Sequence, residues 1–146
     1  MWGMICVMET LRDWIAEHPP PDERFTQTVA GVAVRVRAGE DLRFAVRELL
    51  DEFALRGRDD LRAAALVDEP ESVDLHVDAY LGALAEHLAR AHRLDVPRWA
   101  LSDRRMLDHM WFPGVARGFR PTALRESPAA FRRRGIFIAR GALSRV

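Results

Sequence analysis

The sequence predicts a mainly α protein: a compact helical bundle of about five to seven helices, with an irregular, basic C-terminal arm over residues 117–146. Three observations predict it. Apolar residues recur three and four positions apart through most of the chain. Proline and glycine punctuate those stretches without forming a linker, a repeat or a low-complexity tract. Apolar residues make up 49% of the 146 positions, enough for one domain (1–146) to build a core without disulfide or metal staples.

The first element is a short helix opened by Glu9 or Thr10, with Leu11, Trp14 and Ile15 at helical spacing, and stopped by His18 and the prolines at 19, 20 and 21. Residues 1–7 read as a possible disordered extension, because Met8 is an alternative start. Asp22 then offers an N-cap to a segment in which Phe25, Val29, Val32, Ala33 and Val36 fall on one helical face closing at Gly39. A second reading competes there. Val32, Val34 and Val36 also alternate with Ala33, Arg35 and Arg37, which suits a strand, so residues 22–37 stay open between the two.

Residues 41–54 give the clearest helix, with Leu42, Ala45, Val46, Leu49, Leu50 and Phe53 on one face and charged residues on the other. After a break at Gly57, Asp59 or Asp60 caps a short helix containing Leu61, Ala64, Ala65 and Leu66. Ser72 is read as the N-cap of a long helix reaching about His92, whose stripe is Val73, Val77, Tyr80, Leu81, Leu84, Leu88 and Ala91. Beyond Leu94 the chain is irregular, with one short helix expected at 102–109 and an aromatic corner at Trp111, Phe112 and Pro113. Ser127 as N-cap with Pro128 at N1 then signals a short basic helix ended by Gly135, followed by the extended apolar Ile136, Phe137 and Ile138.

Composition excludes several chemistries. All 22 basic residues are arginine, and lysine and asparagine are both absent. That removes a lysine Schiff base, a P-loop lysine and an asparagine contact to adenine. One cysteine, Cys6, excludes an internal disulfide and any multi-thiolate zinc site. No run approaches the roughly 20 apolar residues of a membrane span, and the apolar opening lacks a signal peptide's basic flank, so a cytoplasmic protein is expected.

The net charge of zero conceals a strong polarity. Residues 40–78 hold 12 acids against 5 arginines, whereas residues 117–146 hold 8 arginines against the single acid Glu126. Either the basic tail folds back over the acidic middle, or it meets an acidic partner.

Candidate catalytic and metal motifs fare poorly against plainer readings. His76 lies in an Asp74, His76, Asp78 string, but on a helix those side chains diverge. His87 and His92 do not match the HExxH spacing. His109, beside Asp108, could serve in an acid/base pair with a carboxylate from elsewhere, but no motif supports it. Ser72 and Ser127 read as caps, with no GxSxG turn at either, and the glycines form no phosphate loop. No catalytic residue, metal site or cofactor is therefore expected.

The run Arg132, Arg133, Arg134 is the strongest single feature. Consecutive arginines on a short helix point in three directions, so at least one should be free for a partner, with intramolecular pairs to Asp51 or Asp59 as the competing reading. Expected partner-binding residues are Arg125, Arg132, Arg133, Arg134, Ile136, Phe137, Ile138 and Arg140.

The string from Glu126 through Ser127, Pro128, Phe131 and the three arginines to Ile138 joins the Trp111, Phe112, Pro113 corner and the acidic helix at 47–53 in one pattern. Over about residues 40–146 this pattern resembles a group of small actinobacterial antitoxin-like proteins, some of whose genes neighbour those of nucleotidyltransferase-type toxins. The resemblance implies a non-enzymatic protein that binds another protein, and it transfers no catalytic residue. The leading expectation is an interaction module, an antitoxin whose basic arm occludes a partner enzyme, here a nucleotidyltransferase-type toxin. The alternative is a nucleic-acid-binding regulator using the arm's arginines on phosphates, though no separate winged-helix or helix-turn-helix domain is present.

Overall fold

The computed structural model describes residues 11, 13–14, 27–55 and 58–144. Leu11, Asp13 and Trp14 are helical and exposed. The expected extension at 1–7, the proline stop at 19–21, the Asp22 cap and the break at Gly57 lie outside the described residues. Within them the fold is mainly α, with helices α1 (Val29–Arg37), α2 (Leu42–Leu55), α3 (Asp59–Val67), α4 (Leu75–Ala91), α5 (Arg120–Glu126) and α6 (Ala129–Arg132).

Residues 29–37 are helix, which settles the competition with a strand. Thr28 caps α1 by accepting a hydrogen bond from the Gly31 amide at 2.9 Å, and Val29, Val32 and Ala33 are buried on one side. Gly39 closes it at φ +107°. There the Glu40 amide donates to the Arg35 carbonyl and the Gly39 amide to the Val36 carbonyl, the two bonds of a Schellman turn. In α2, Ala45, Val46, Leu49 and Phe53 are buried, as the spacing predicts. α3 starts one residue past its N-cap Arg58, so Asp59 and Asp60 sit in its first turn, where they complement the macrodipole.

The centre of the molecule is α4. Every residue from Ala79 to Glu86 is buried, so this helix is covered all round, by α1, α3, α6 and the 3₁₀ turns Arg98–Leu101 and Asp103–Arg105. Its cap is Asp74, not Ser72: the Asp74 carboxylate accepts from the Val77 amide at 2.8 Å. Ser72 lies outside the helix and donates its hydroxyl to Asp78 at 2.5 Å. α4 ends in a second Schellman turn, with Arg93 taking the left-handed position (φ 56°) that glycine fills in α1.

The helix expected over 102–109 is only the turn Asp103–Arg105. Tertiary bonds claim this stretch. The buried Arg105 guanidinium donates to the carbonyls of Asp78 and Pro70 at 3.0 and 3.1 Å and lies over the Trp99 ring, and the Leu107 amide donates to the Arg134 carbonyl. α5 was not foreseen, although Pro121 in its first turn is a helix-start signal. Ser127 does not cap α6, whose N-cap is Pro128. Its hydroxyl lies 2.7 Å from the Ala123 carbonyl and accepts from the Ile138 amide at 2.8 Å, so it pins the end of the arm to the end of α5.

Gly135 ends α6 as expected, at φ +78°. Past it the chain pairs in parallel with Trp111: the Trp111 amide donates to the Gly135 carbonyl, and the Phe137 amide to the Trp111 carbonyl, both at 2.8 Å. Phe112 stacks on Phe137 at 5.2 Å. No helix among the described residues is long and apolar enough to cross a membrane.

Candidate functional site

The eight residues expected to face a partner divide into an inner and an outer set. Arg134 is fully buried, and Ile136 and Ile138 are buried in the core with Phe131. These three are corrected from contact residues to structural ones. The Arg134 guanidinium donates to Glu86 at 2.6 Å, to the Ala130 carbonyl at 2.7 Å and to the Ala100 carbonyl at 2.5 Å, leaving its Nε without a partner. Phe137 is half-buried against Phe112. Arg133, 47% exposed at its side chain, reaches Glu86 at 2.6 Å.

Glu86 is the residue the sequence did not reveal. It is 2% exposed and receives Arg134, Arg133 and, from one turn along its own helix, Arg90 at 2.9 Å. Burial pushes its carboxyl upward, but the bonds from Arg134 and Arg90 and the charges of Arg134 and Arg133 outweigh that and hold it below the usual carboxylate range. Burial lowers the Arg134 pKa in turn, against Glu86, and the guanidinium stays a cation. The signal was a lone carboxylate ending the apolar run 79–85, where no helix could leave it unpaired. The tail does fold back, but onto Glu86, which lies outside the acidic stretch 40–78. That stretch finds its arginines elsewhere: Arg35 binds Glu40 and Glu48, Arg37 binds Glu71, and Arg104 and Arg105 reach Glu69.

The outer set is Arg125, Arg132 and Arg140, all exposed. None makes an ion pair or side-chain hydrogen bond among the described residues. Around them in the sequence lie Arg117 and Phe119, both exposed and Phe119 by 67%, and Arg120, whose guanidinium sits over the Phe112 ring at 4.9 Å. The arm therefore presents arginines and an aromatic ring on its outside while its inside is locked to α4.

A second cluster joins residues that the sequence kept apart. His76, near the start of α4, and His109, on the segment before the Trp111 pairing, bring their Nε2 atoms to 2.8 Å. On the far side of the ring, His109 Nδ1 lies 2.7 Å from Asp108, whose carboxyl is held below its ordinary value by that bond. The carboxylate beside His109 is thus its own neighbour, and the added partner is an imidazole. Trp111 packs on His76 at 4.7 Å. Asp74 and Asp78 are committed to the Val77 amide and to Ser72 and Val73, so the expected divergence from His76 holds.

His87 and His92 pack as aromatic edges, His92 against Phe53 at 5.0 Å and His87 against Phe131 at 6.2 Å, and burial pushes both below the ordinary histidine value. An open cleft of about 380 Å³ is lined by Glu69, Pro70, Glu71, Ser72, Asp78, Arg104 and Arg105. Its Ser72 hydroxyl is bonded to a carboxylate with no histidine between, so no activated nucleophile forms there. No family model, curated protein or solved structure matches the chain.

Proposed function

We propose that the protein is a non-enzymatic binding module that occludes an acidic surface of a partner protein, an antitoxin-like role for which a nucleotidyltransferase-type toxin is the first partner to test. The observation that carries this reading is the outer set: Arg125, Arg132 and Arg140 are exposed with no carboxylate partner among the described residues, on a segment whose inner side is fixed by Arg134, Ile136 and Ile138. Free guanidinium forks on a rigid support lose little freedom on binding, which favours a carboxylate-rich target. The mode differs from that of a loose peptide arm. The partner meets a preformed surface, and Phe131, Ile136 and Ile138 of the arm stay inside.

The test is co-purification from the native host with wild-type protein and with the triple variant R125E, R132E, R140E. A stoichiometric enzyme partner is expected with the wild type and lost with the variant, at unchanged thermal stability. Affinity for duplex or single-stranded nucleic acid that falls steeply with salt, with no protein partner, would replace this reading with the phosphate-binding one.

A further inference from the structure

We infer that His76 and His109 form an acid-sensitive latch between the start of α4 and the segment that supports the arm. Their Nε2 atoms face each other at 2.8 Å, with ring centroids 5.0 Å apart and ring planes at 85°. A contact of that length between two ring nitrogens needs a proton on the line between them, so that one nitrogen donates and the other accepts. Asp108 sets the direction. Its carboxylate accepts from His109 Nδ1–H at 2.7 Å, which leaves the lone pair of a neutral His109 on Nε2, facing His76 Nε2–H.

The pair takes up protons in two steps with opposite effects. A first proton enters at His76 Nδ1 and keeps the contact, which becomes charge-assisted. A second must take the His109 lone pair, and then the N–H groups of two imidazolium rings confront each other, so the rings part. The surroundings admit that second proton. Asp108, 94% exposed, is the counterion behind His109, and the bond from His109 holds its carboxyl below the ordinary value. Trp111 offers its ring to His76 at 4.7 Å. On α4 itself, Asp74 is engaged by the Val77 amide, and Asp78 by Ser72 and the Val73 amide. From the turn packed on α4, Arg105 is bonded to the carbonyls of Asp78 and Pro70.

The segment so held carries the arm's backbone pairing. The Leu107 and Trp111 amides, on either side of His109, donate to the Arg134 and Gly135 carbonyls, and the His109 carbonyl lies close against Gly135. Parting of the imidazoles in acid loosens this segment from α4, whatever the arm binds.

Amide hydrogen exchange, corrected for its intrinsic pH dependence, tests the latch at pH 7.5 and 5.0. Free histidine titrates between these values, at about pH 6.5, and ordinary carboxylates below them. In the wild type, protection of the Leu107, Trp111 and Phe137 amides should fall about three- to tenfold at pH 5.0. His76→Phe and His109→Phe each remove the latch and should show equal protection at the two pH values, whereas His87→Gln should keep the wild-type fall. Equal protection at both pH values in the wild type, or a wild-type fall in both phenylalanine variants, would overturn the inference.

Discussion

Removing the Glu86 carboxylate leaves Arg134 a fully buried cation with two backbone carbonyls as its remaining partners. Breaking a buried pair from one side is strongly destabilising, so Glu86→Gln should lower the unfolding free energy by about 3–5 kcal/mol in a urea titration. Arg134→Met, which removes the buried charge itself, should be the milder change, and Arg133→Ala, at a half-exposed end of the network, should cost less than about 1 kcal/mol. The same carboxylate sets an acid limit. Its folded pKa lies below its unfolded one, so its contribution is complete above about pH 4.3 and is lost as pH falls through the folded value. Thermal melts should show the Glu86→Gln deficit shrinking in that acid range, and a constant deficit would refute the linkage.

Three helix ends use the same closing turn, but with different tolerance for a side chain. At Gly135 a Cβ would stand 2.6 Å from the His109 carbonyl, whereas at Gly39 it would meet nothing within 4 Å. Both glycines have positive φ, so alanine strains each backbone, and only at Gly135 must the neighbouring segment also move. Gly39→Ala should therefore cost about 1 kcal/mol and Gly135→Ala clearly more, about 2–3 kcal/mol, read from denaturant midpoints. The contrast also shows what sequence could convey. Helices α2 to α4 and the stop at Gly135 were legible because their signals are local, three-to-four spacing and glycine, whereas α1 stayed open because its valines also alternate as in a strand. Residues 102–109 look helical locally, but Arg105 and Leu107 spend their hydrogen bonds on partners 27 to 36 residues distant. Ser127 has the signature of a cap, yet its oxygen serves Ile138. The Nε2 contact between His76 and His109 is wholly a product of tertiary packing, beyond the reach of any local pattern.

The whole molecule sorts its arginines by depth rather than by position along the chain. Arg105 and Arg134 hold the interior together, Arg35, Arg37 and Arg104 pair with carboxylates of the acidic stretch 40–78, and Arg125, Arg132 and Arg140 are exposed with no ion pair among the described residues. Because the arm also supplies Phe131, Ile136 and Ile138 to the core, it is not an appendage. A chain ending at residue 126 should lose cooperative thermal unfolding and bind a hydrophobic dye. A sharp, wild-type-like transition in that truncated chain would show the arm to be dispensable to the fold.

Polypeptides are made from the amino end, and this fixes a sequence of events for α4. Its carboxylate at position 86 emerges well before the guanidinium groups at 133 and 134 exist. A nascent chain must therefore keep that glutamate wet, held only by the solvent-facing Arg90, and its central helix cannot settle among its neighbours until the ribosome has translated past Arg134. Assembly of the interior thereby waits for Arg133 and Arg134.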